Sequence, residues 1–282
     1  MTLFKSVLRA GIVSLLTAAV AACVQLDPIA SERMASGVSD PATMTSSDTI
    51  DSISPAEIYA AINHPSRRSI DREQDERRKA ADVLNFFGIQ SGMVVLDLYS
   101  GGGYYAELLS LIVGPTGLVV AHNNTPYLEF AGDELATRYT EGRLNNVERL
   151  VAENNQLDLA ANRFDAVIMI KSYHDVYLVS EDMGWLAINR PELLQEIYAA
   201  LKSGGVLGIV DHAADPGVQP ESCGTLHRID PAVIRRDMAA AGFRFDGESG
   251  VLRNPDDDRT RVVFDPSVRD RTDRVVLRFR KP

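Results

Sequence analysis

From residue 93 to the C-terminus, apolar β-branched runs alternate with helical patterns, and this alternation limits the fold more than any other feature. The runs are Met93–Leu98, Leu118–His122, Val147–Ala152, Ala166–Ile170, Val206–Asp211 and Val275–Arg280. Helical spacing lies between most of them, over Tyr104–Val113, Pro126–Tyr139, Pro191–Leu201 and Pro231–Ala241. Strand, helix and strand repeated in this way predict an α/β fold, with a doubly wound, mostly parallel sheet covered on both faces. The end of the chain differs. Phe243–Phe245 and Val275–Arg280 are separated by a polar loop rich in Asp and Arg, which predicts an antiparallel pair closing one edge. Two helices are expected ahead of the first strand. Ser54-Pro55-Ala56-Glu57 has an N-cap, a proline at the first position and a glutamate at the third. From Asp71 to Phe87, the residues Ala80, Val83, Leu84 and Phe87 share one face, and Gly88 is a suitable stop.

The chain of 282 residues begins with a different kind of segment. Lys5 and Arg9 precede a short apolar run, Gly11 to Ala22. The run is shorter than the ~18–20 residues of a spanning helix and has the form of an export signal. It ends Val20-Ala21-Ala22-Cys23, which resembles a bacterial lipobox. The resemblance implies a signal peptide over 1–22 and lipidation at Cys23, with the protein anchored through lipid to a membrane of the cell envelope and facing the periplasm. Val24 stands where that pathway has Asp for inner-membrane retention, which slightly favours the outer membrane. An ordinary secretory signal is the alternative. Residues 23–54, rich in Ser, Thr, Asp and Ala, are expected to be a flexible tether with an r.m.s. span of about 30 Å. Residues 55–282 then form one domain, with N-terminal helices over 55–90 and the core over 91–282. The other cysteine, Cys223, has no intrachain partner once Cys23 is acylated. A net charge of −10 argues against an unaided grip on nucleic acid, which needs clustered Lys and Arg.

The stretch LDLYSGGGYYAELL carries the main chemical signal. Asp97 ends a strand, Gly101-Gly102-Gly103 follow, and a helix starts near Tyr104. Glycines there let backbone approach a ligand, and the helix offers its positive N-terminal end. Gly101, Gly103 and Ala106 loosely meet the nicotinamide fingerprint G-x-G-x-x-G/A. The stretch also resembles motif I of class I S-adenosylmethionine (SAM) methyltransferases, V-L-D-x-G-x-G-x-G. Phe164-Asp165-Ala166-Val167-Ile168 is similar to that family's fourth strand, and Leu201-Lys202-Ser203-Gly204-Gly205-Val206 to its L-K-P-G-G turn. More narrowly, HPSRR, FFGIQSGM, DHAAD, TLHRID and TDRVVLRF together resemble a bacterial family of exported predicted methyltransferases. The resemblance implies a seven-stranded Rossmann-like domain with SAM as cofactor. It places Asp97, Tyr99, Gly101 and Gly103 along the cofactor, Asn123 near its ribose, and Glu153 or Asn154 near its adenine.

Two positions depart from the pattern. Tyr99 replaces the first glycine of motif I. The second strand ends in His122-Asn123-Asn124, without the carboxylate that would bind ribose hydroxyls, and a neutral amide is a weaker acceptor.

The chain has five histidines. His174-Asp175, Asp211-His212 and His227-Arg228 follow strand ends and are expected to converge on the rim that carries the cofactor crevice. His174, Asp211, His212 and His227 are therefore candidates for acid/base work on a methyl acceptor. A metal set of His174, His212 and Asp211 or Asp215 is conceivable, but no H-E-x-x-H or C-x-x-C spacing supports it, and no metal ligand is assigned. The expected function is methyl transfer from SAM to a small molecule. The alternatives are a non-catalytic envelope protein that retains the fold, and a histidine- or metal-dependent enzyme built on it.

Overall fold

A computed structural model describes residues 55–282 except Glu141. The signal, lipidation and tether readings therefore lie outside the described residues. Three helices come first: α1 (Pro55–Ile62), α2 (Ser69–Arg78) and α3 (Ala80–Phe87). The single helix expected over Asp71–Phe87 is broken at Lys79, which takes a left-handed φ of 43°. Gly88 ends α3 with φ 73°, as its lack of a Cβ allows.

The core then alternates as the periodicity predicts, through β1 (Val94–Leu98), α4 (Tyr104–Val113), β2 (Leu118–Asn123), α5 (Thr125–Ala131), α6 (Asp133–Arg138), β3 (Val147–Val151) and β4 (Phe164–Ile170). It continues with α7 (Arg190–Ala200), β5 (Leu201–His212), α8 (Cys223–Leu226), α9 (Pro231–Ala240), β6 (Arg244–Ser249) and β7 (Arg274–Arg280). Two differences from expectation have local causes. The helix expected over Pro126–Tyr139 is two helices, because Gly132 takes φ 47° between them. Strand β5 begins at Leu201, but its pairing with β4 breaks between Leu201 and Val206, where Gly204 takes φ 76°, so the expected turn appears as a bulge inside the strand.

The seven strands form one sheet in the order β3-β2-β1-β4-β5-β7-β6. The β1–β2, β1–β4, β2–β3 and β4–β5 pairs are parallel. β7 runs antiparallel to both β5 and β6 and closes the edge as expected. The crossover from the β1–β2–β3 half to the β4–β5 half places the ends of β1 and β4 side by side, where open α/β sheets hold ligands.

Side-chain alternation sorts the core into two layers. Leu96, Leu98, Val167, Met169, Leu207 and Ile209 pack on one face with residues of α7 and α9. Val95, Val119, Ala166, Ile168 and Val210 pack on the other with α1, α3 and α4. Helix α3 comes close to the sheet at Gly208, where an added Cβ would lie 2.6 Å from the Phe87 ring.

Candidate functional site

The glycine loop joins β1 to α4 at the C-terminal edge of the sheet. Tyr99 takes φ 60°, the left-handed conformation that a glycine adopts without strain. Its ring is buried, 5.2 Å from the Tyr127 ring and 5.3 Å from that of His122, with Trp185 at 6.2 Å. Asp97 is buried just before it, and burial pushes its carboxyl up to about 7. Asp97 Oδ2, Tyr99 Oη and Ser100 Oγ are buried without a hydrogen-bond partner among the described residues.

The loop is covered from the side of α5 and α6. A Cβ on Gly102 would run into the Glu134 carboxylate, and one on Gly103 would lie 2.9 Å from Tyr139 Oη. Arg138 donates to Gly102 O at 2.8 Å and pairs with the buried carboxylates of Asp71 and Glu107. That network ties the cover to α2 and α4.

Asn123 does not point a free amide at the crevice. Its Oδ1 accepts from Gly101 N at 2.8 Å and its Nδ2 donates to Gly101 O at 3.1 Å, so both ends of the amide hold the loop. His122 is fully buried and neutral: Nδ1 accepts from Tyr99 N, Nε2 donates to Ala152 O at 3.0 Å, and burial takes its pKa down to about 4. Glu153 is exposed and accepts from Thr125 Oγ1 at 2.6 Å at the start of α5. Asn154 is buried and accepts from Asn124, whose own Oδ1 caps α5 through Tyr127 N.

The second group sits at the ends of β4 and β5. His174 opens a short 3₁₀ turn after β4. Its Nδ1 donates to Asp211 Oδ1 at 2.8 Å, and its backbone N–H donates to Asp211 Oδ2 at 2.7 Å. Its Nε2 faces Asp175 Oδ1 at 3.2 Å and His227 Nδ1 at 3.3 Å. Burial opposes a charge on His174, but the carboxylates of Asp175 and Asp211 outweigh it and carry the ring up to about 9. His227 has φ 53°, stacks edge-on against Phe264, and keeps 21% of its side chain exposed. His212 stands apart, with Nδ1 on Thr272 Oγ1 at 2.6 Å, and burial together with the charges of Lys171 and His174 lowers its pKa well below the usual histidine value.

Of the residues expected to converge, His174, Asp175, Asp211 and His227 do so, and the His212 ring lies 6.1 Å from that of His174 with its Nδ1 on Thr272. Arg228 turns away to a buried ion pair with Asp257 at 2.7 Å. Asp215 lies on Arg259 at 2.9 Å, and Asp211 is saturated by His174 and the His212 N–H, so the metal set considered from the sequence does not assemble. The three residues whose ligand atoms share one point are His174, Asp175 and His227. Cys223 is buried, and its Sγ donates to His174 O at 3.1 Å. The sequence reading missed Tyr127, whose hydroxyl donates to Asp175 Oδ2 at 2.8 Å and links the two groups. It also missed Trp185, which donates to Asp175 O at 3.0 Å. Only the rarity of tryptophan could have marked Trp185 in advance.

Away from both groups, a cavity of about 610 Å³ lies between α2 and the β6–β7 connection. Lys79, Arg253, Asp270, Thr272 and Arg274 are among its lining residues, and Thr272 is the partner of His212.

Comparison with known proteins agrees with this layout. Residues 96–209, from β1 into β5, match the family model described as a methyltransferase domain. The ubiquinone/menaquinone biosynthesis C-methyltransferase UbiE of Hydrogenovibrio crunogenus is 32% identical over 130 residues, covering 46% of this chain and 46% of that protein. The chain thus spans about half the length of the curated relatives it matches. Among solved structures, a SAM-dependent methyltransferase from Aquifex aeolicus superposes with a TM-score of 0.52 at 22% identity, covering 80% of this chain and 97% of that one. The cyclase SpnF superposes with a TM-score of 0.51 at 18% identity, covering 75% and 80%. The seven-stranded mixed sheet is the Rossmann-like methyltransferase fold, and residues 96–209 are the part of the chain similar to a methyltransferase domain.

Proposed function

We propose that the protein is a SAM-dependent methyltransferase acting on a polar small molecule, held at an envelope membrane by lipid on Cys23. The observation that carries the reading is Asp97. A buried carboxylate with an unpartnered Oδ2, next to a glycine loop and a helix N-terminus, is a poor structural element and a good partner for a ligand ammonium. The α-amino group of SAM has that chemistry, so the loop fits the cofactor. When bound, SAM supplies a methyl group on a positively charged sulfur.

The chain's own residues would do the rest. Asp97 binds, and the Tyr99, Tyr127 and Trp185 rings exclude water from the crevice. Asp175 and His227 bind the acceptor and take its proton, with the charged His174 ring fixed beside them by Asp211.

Calorimetric titration of SAM and its demethylated product into the full-length chain, with Cys23→Ser to block acylation, tests this. Micromolar binding that disappears with Asp97→Ala is expected. No binding up to millimolar concentrations, from a folded sample, overturns it. Labelled palmitate incorporated by the wild type and not by Cys23→Ser is the expected result for the anchor; equal labelling of both removes it.

A second reading has one specific support. Asn123 is occupied by Gly101, and no carboxylate ends β2, as expected if the fold has been kept without its cofactor. The same titration separates the two.

A further inference from the structure

We propose that His174, Asp175 and His227 form a binding site for a divalent transition metal of the zinc class, open at its remaining position to the acceptor. The metal site goes beyond methyl transfer. Only its use in activating an acceptor rests on the methyltransferase reading.

The first argument is geometric. A tetrahedral ion with ligands at about 2.0–2.1 Å separates neighbouring donor atoms by about 3.3 Å. His174 Nε2 lies 3.3 Å from His227 Nδ1 and 3.2 Å from Asp175 Oδ1, and the third edge, His227 Nδ1 to Asp175 Oδ1, is 3.8 Å. Two imidazole nitrogens and a carboxylate oxygen thus outline one face of such a polyhedron.

The second argument concerns what stands behind the donors. His174 gives its Nδ1–H to Asp211 at 2.8 Å, which turns Nε2 toward the shared point, where a bound cation takes the place of the Nε2 proton. The Asp211 carboxylate is itself held by the backbone N–H groups of His174 and His212. Asp175 uses its other oxygen on Tyr127, leaving Oδ1 directed at the two imidazoles. A carboxylate behind a ligating histidine is the usual support of a metal centre, and here His174 has Asp211 in that place while Asp175 has the Tyr127 hydroxyl.

Donor type then selects the ion. Two imidazoles with one carboxylate suit zinc, cobalt, nickel or iron(II) better than magnesium or calcium, which prefer all-oxygen shells. Three protein ligands leave a position for an incoming oxygen, nitrogen or sulfur, the pattern of catalytic rather than structural zinc. A group bound there loses its proton more readily. Tyr127 connects this point to the glycine loop, since its hydroxyl is on Asp175 and its ring is on Tyr99.

The test is Zn²⁺ titrated against a chromophoric chelator into chelator-stripped full-length protein, without SAM. One equivalent bound at micromolar affinity or tighter is expected. His227→Ala and Asp175→Asn should each weaken it at least tenfold, and Asp211→Asn by roughly 10–100-fold through loss of the carboxylate behind His174. His64→Ala, far along the chain on an exposed histidine, should leave it unchanged. Thermal melting confirms that each variant is folded, and the partly exposed His227 is the substitution least able to disturb the core. Co²⁺ should give the intense visible bands of a four-coordinate site, and these should vanish in His227→Ala. No stoichiometric binding, or equal affinity in folded His227→Ala and Asp175→Asn, overturns the proposal. Metal bound by a protein that ignores SAM would leave this site standing while removing the methyltransferase reading, and the converse result would do the opposite.

Discussion

His122 and His174 are both buried at strand ends on the same rim, yet they are pushed in opposite directions. His122 meets only a backbone N–H, a backbone carbonyl and aromatic rings, so burial holds it neutral at about 4. His174 meets two carboxylates, which overcome burial and raise it to about 9. The contrast extends to their surroundings. At the loop, His122 and Asn123 meet their own hydrogen-bonding needs through backbone and leave one carboxylate oxygen, Asp97 Oδ2, unpartnered. At the rim of β4 and β5, titratable groups face one another within 4 Å. One end of the crevice is arranged to hold a loop still, and the other to hold charge.

The sharpest way to break the contrast is Asp211→Ala. It removes the acceptor for three hydrogen bonds and leaves the His174 charge with one carboxylate fewer. A loss of about 3–5 kcal/mol in denaturant unfolding is expected. Asp97→Asn should do the reverse. The folded protein holds the Asp97 proton up to about 7 whereas the unfolded chain releases it near 3.8, so stability is lost as pH rises through that window. Removing the charge should therefore stabilise the ligand-free protein by about 2–4 kcal/mol at pH 8, and the gain should fade as pH approaches 4. The same variant should fail to bind SAM.

Asn123→Ala tests whether the amide holds the loop, and a loss of about 1–3 kcal/mol is expected by melting. The smallest effect is the pH dependence of His122. Its folded pKa is depressed, so its contribution is present above about 6.5 and is lost as pH falls towards 4. Between pH 7 and 5.5 this amounts to about 1 kcal/mol, and His122→Asn should flatten that part of the unfolding profile.

Much of the fold was legible because it rests on periodicity. Strands buried on both faces read as apolar runs, and the antiparallel edge showed itself as two strand patterns without a helix between them. What was illegible depended on single backbone angles. The break at Lys79 uses a left-handed lysine, which no propensity favours, and Gly132 in a polar helical pattern could equally have been tolerated. Within the site, the histidines and their neighbouring aspartates were visible as a set, but their division of labour was not. Asp175 and Asp211 each adjoin a histidine in sequence, and only side-chain direction shows that Asp211 lies behind His174 while Asp175 stands beside it. Likewise Asn123 sat where a ribose contact was expected, and the nearness of Gly101 gave it other partners.

The cover formed by Tyr127, Glu134, Arg138 and Tyr139 over the glycine loop has a kinetic consequence. A molecule cannot settle against those glycines faster than the cover moves aside. In stopped-flow mixing, the observed association rate should climb with ligand concentration and then level off at the opening rate. Cutting the tie at Arg138 should raise that plateau, and the slope at low concentration should rise with it.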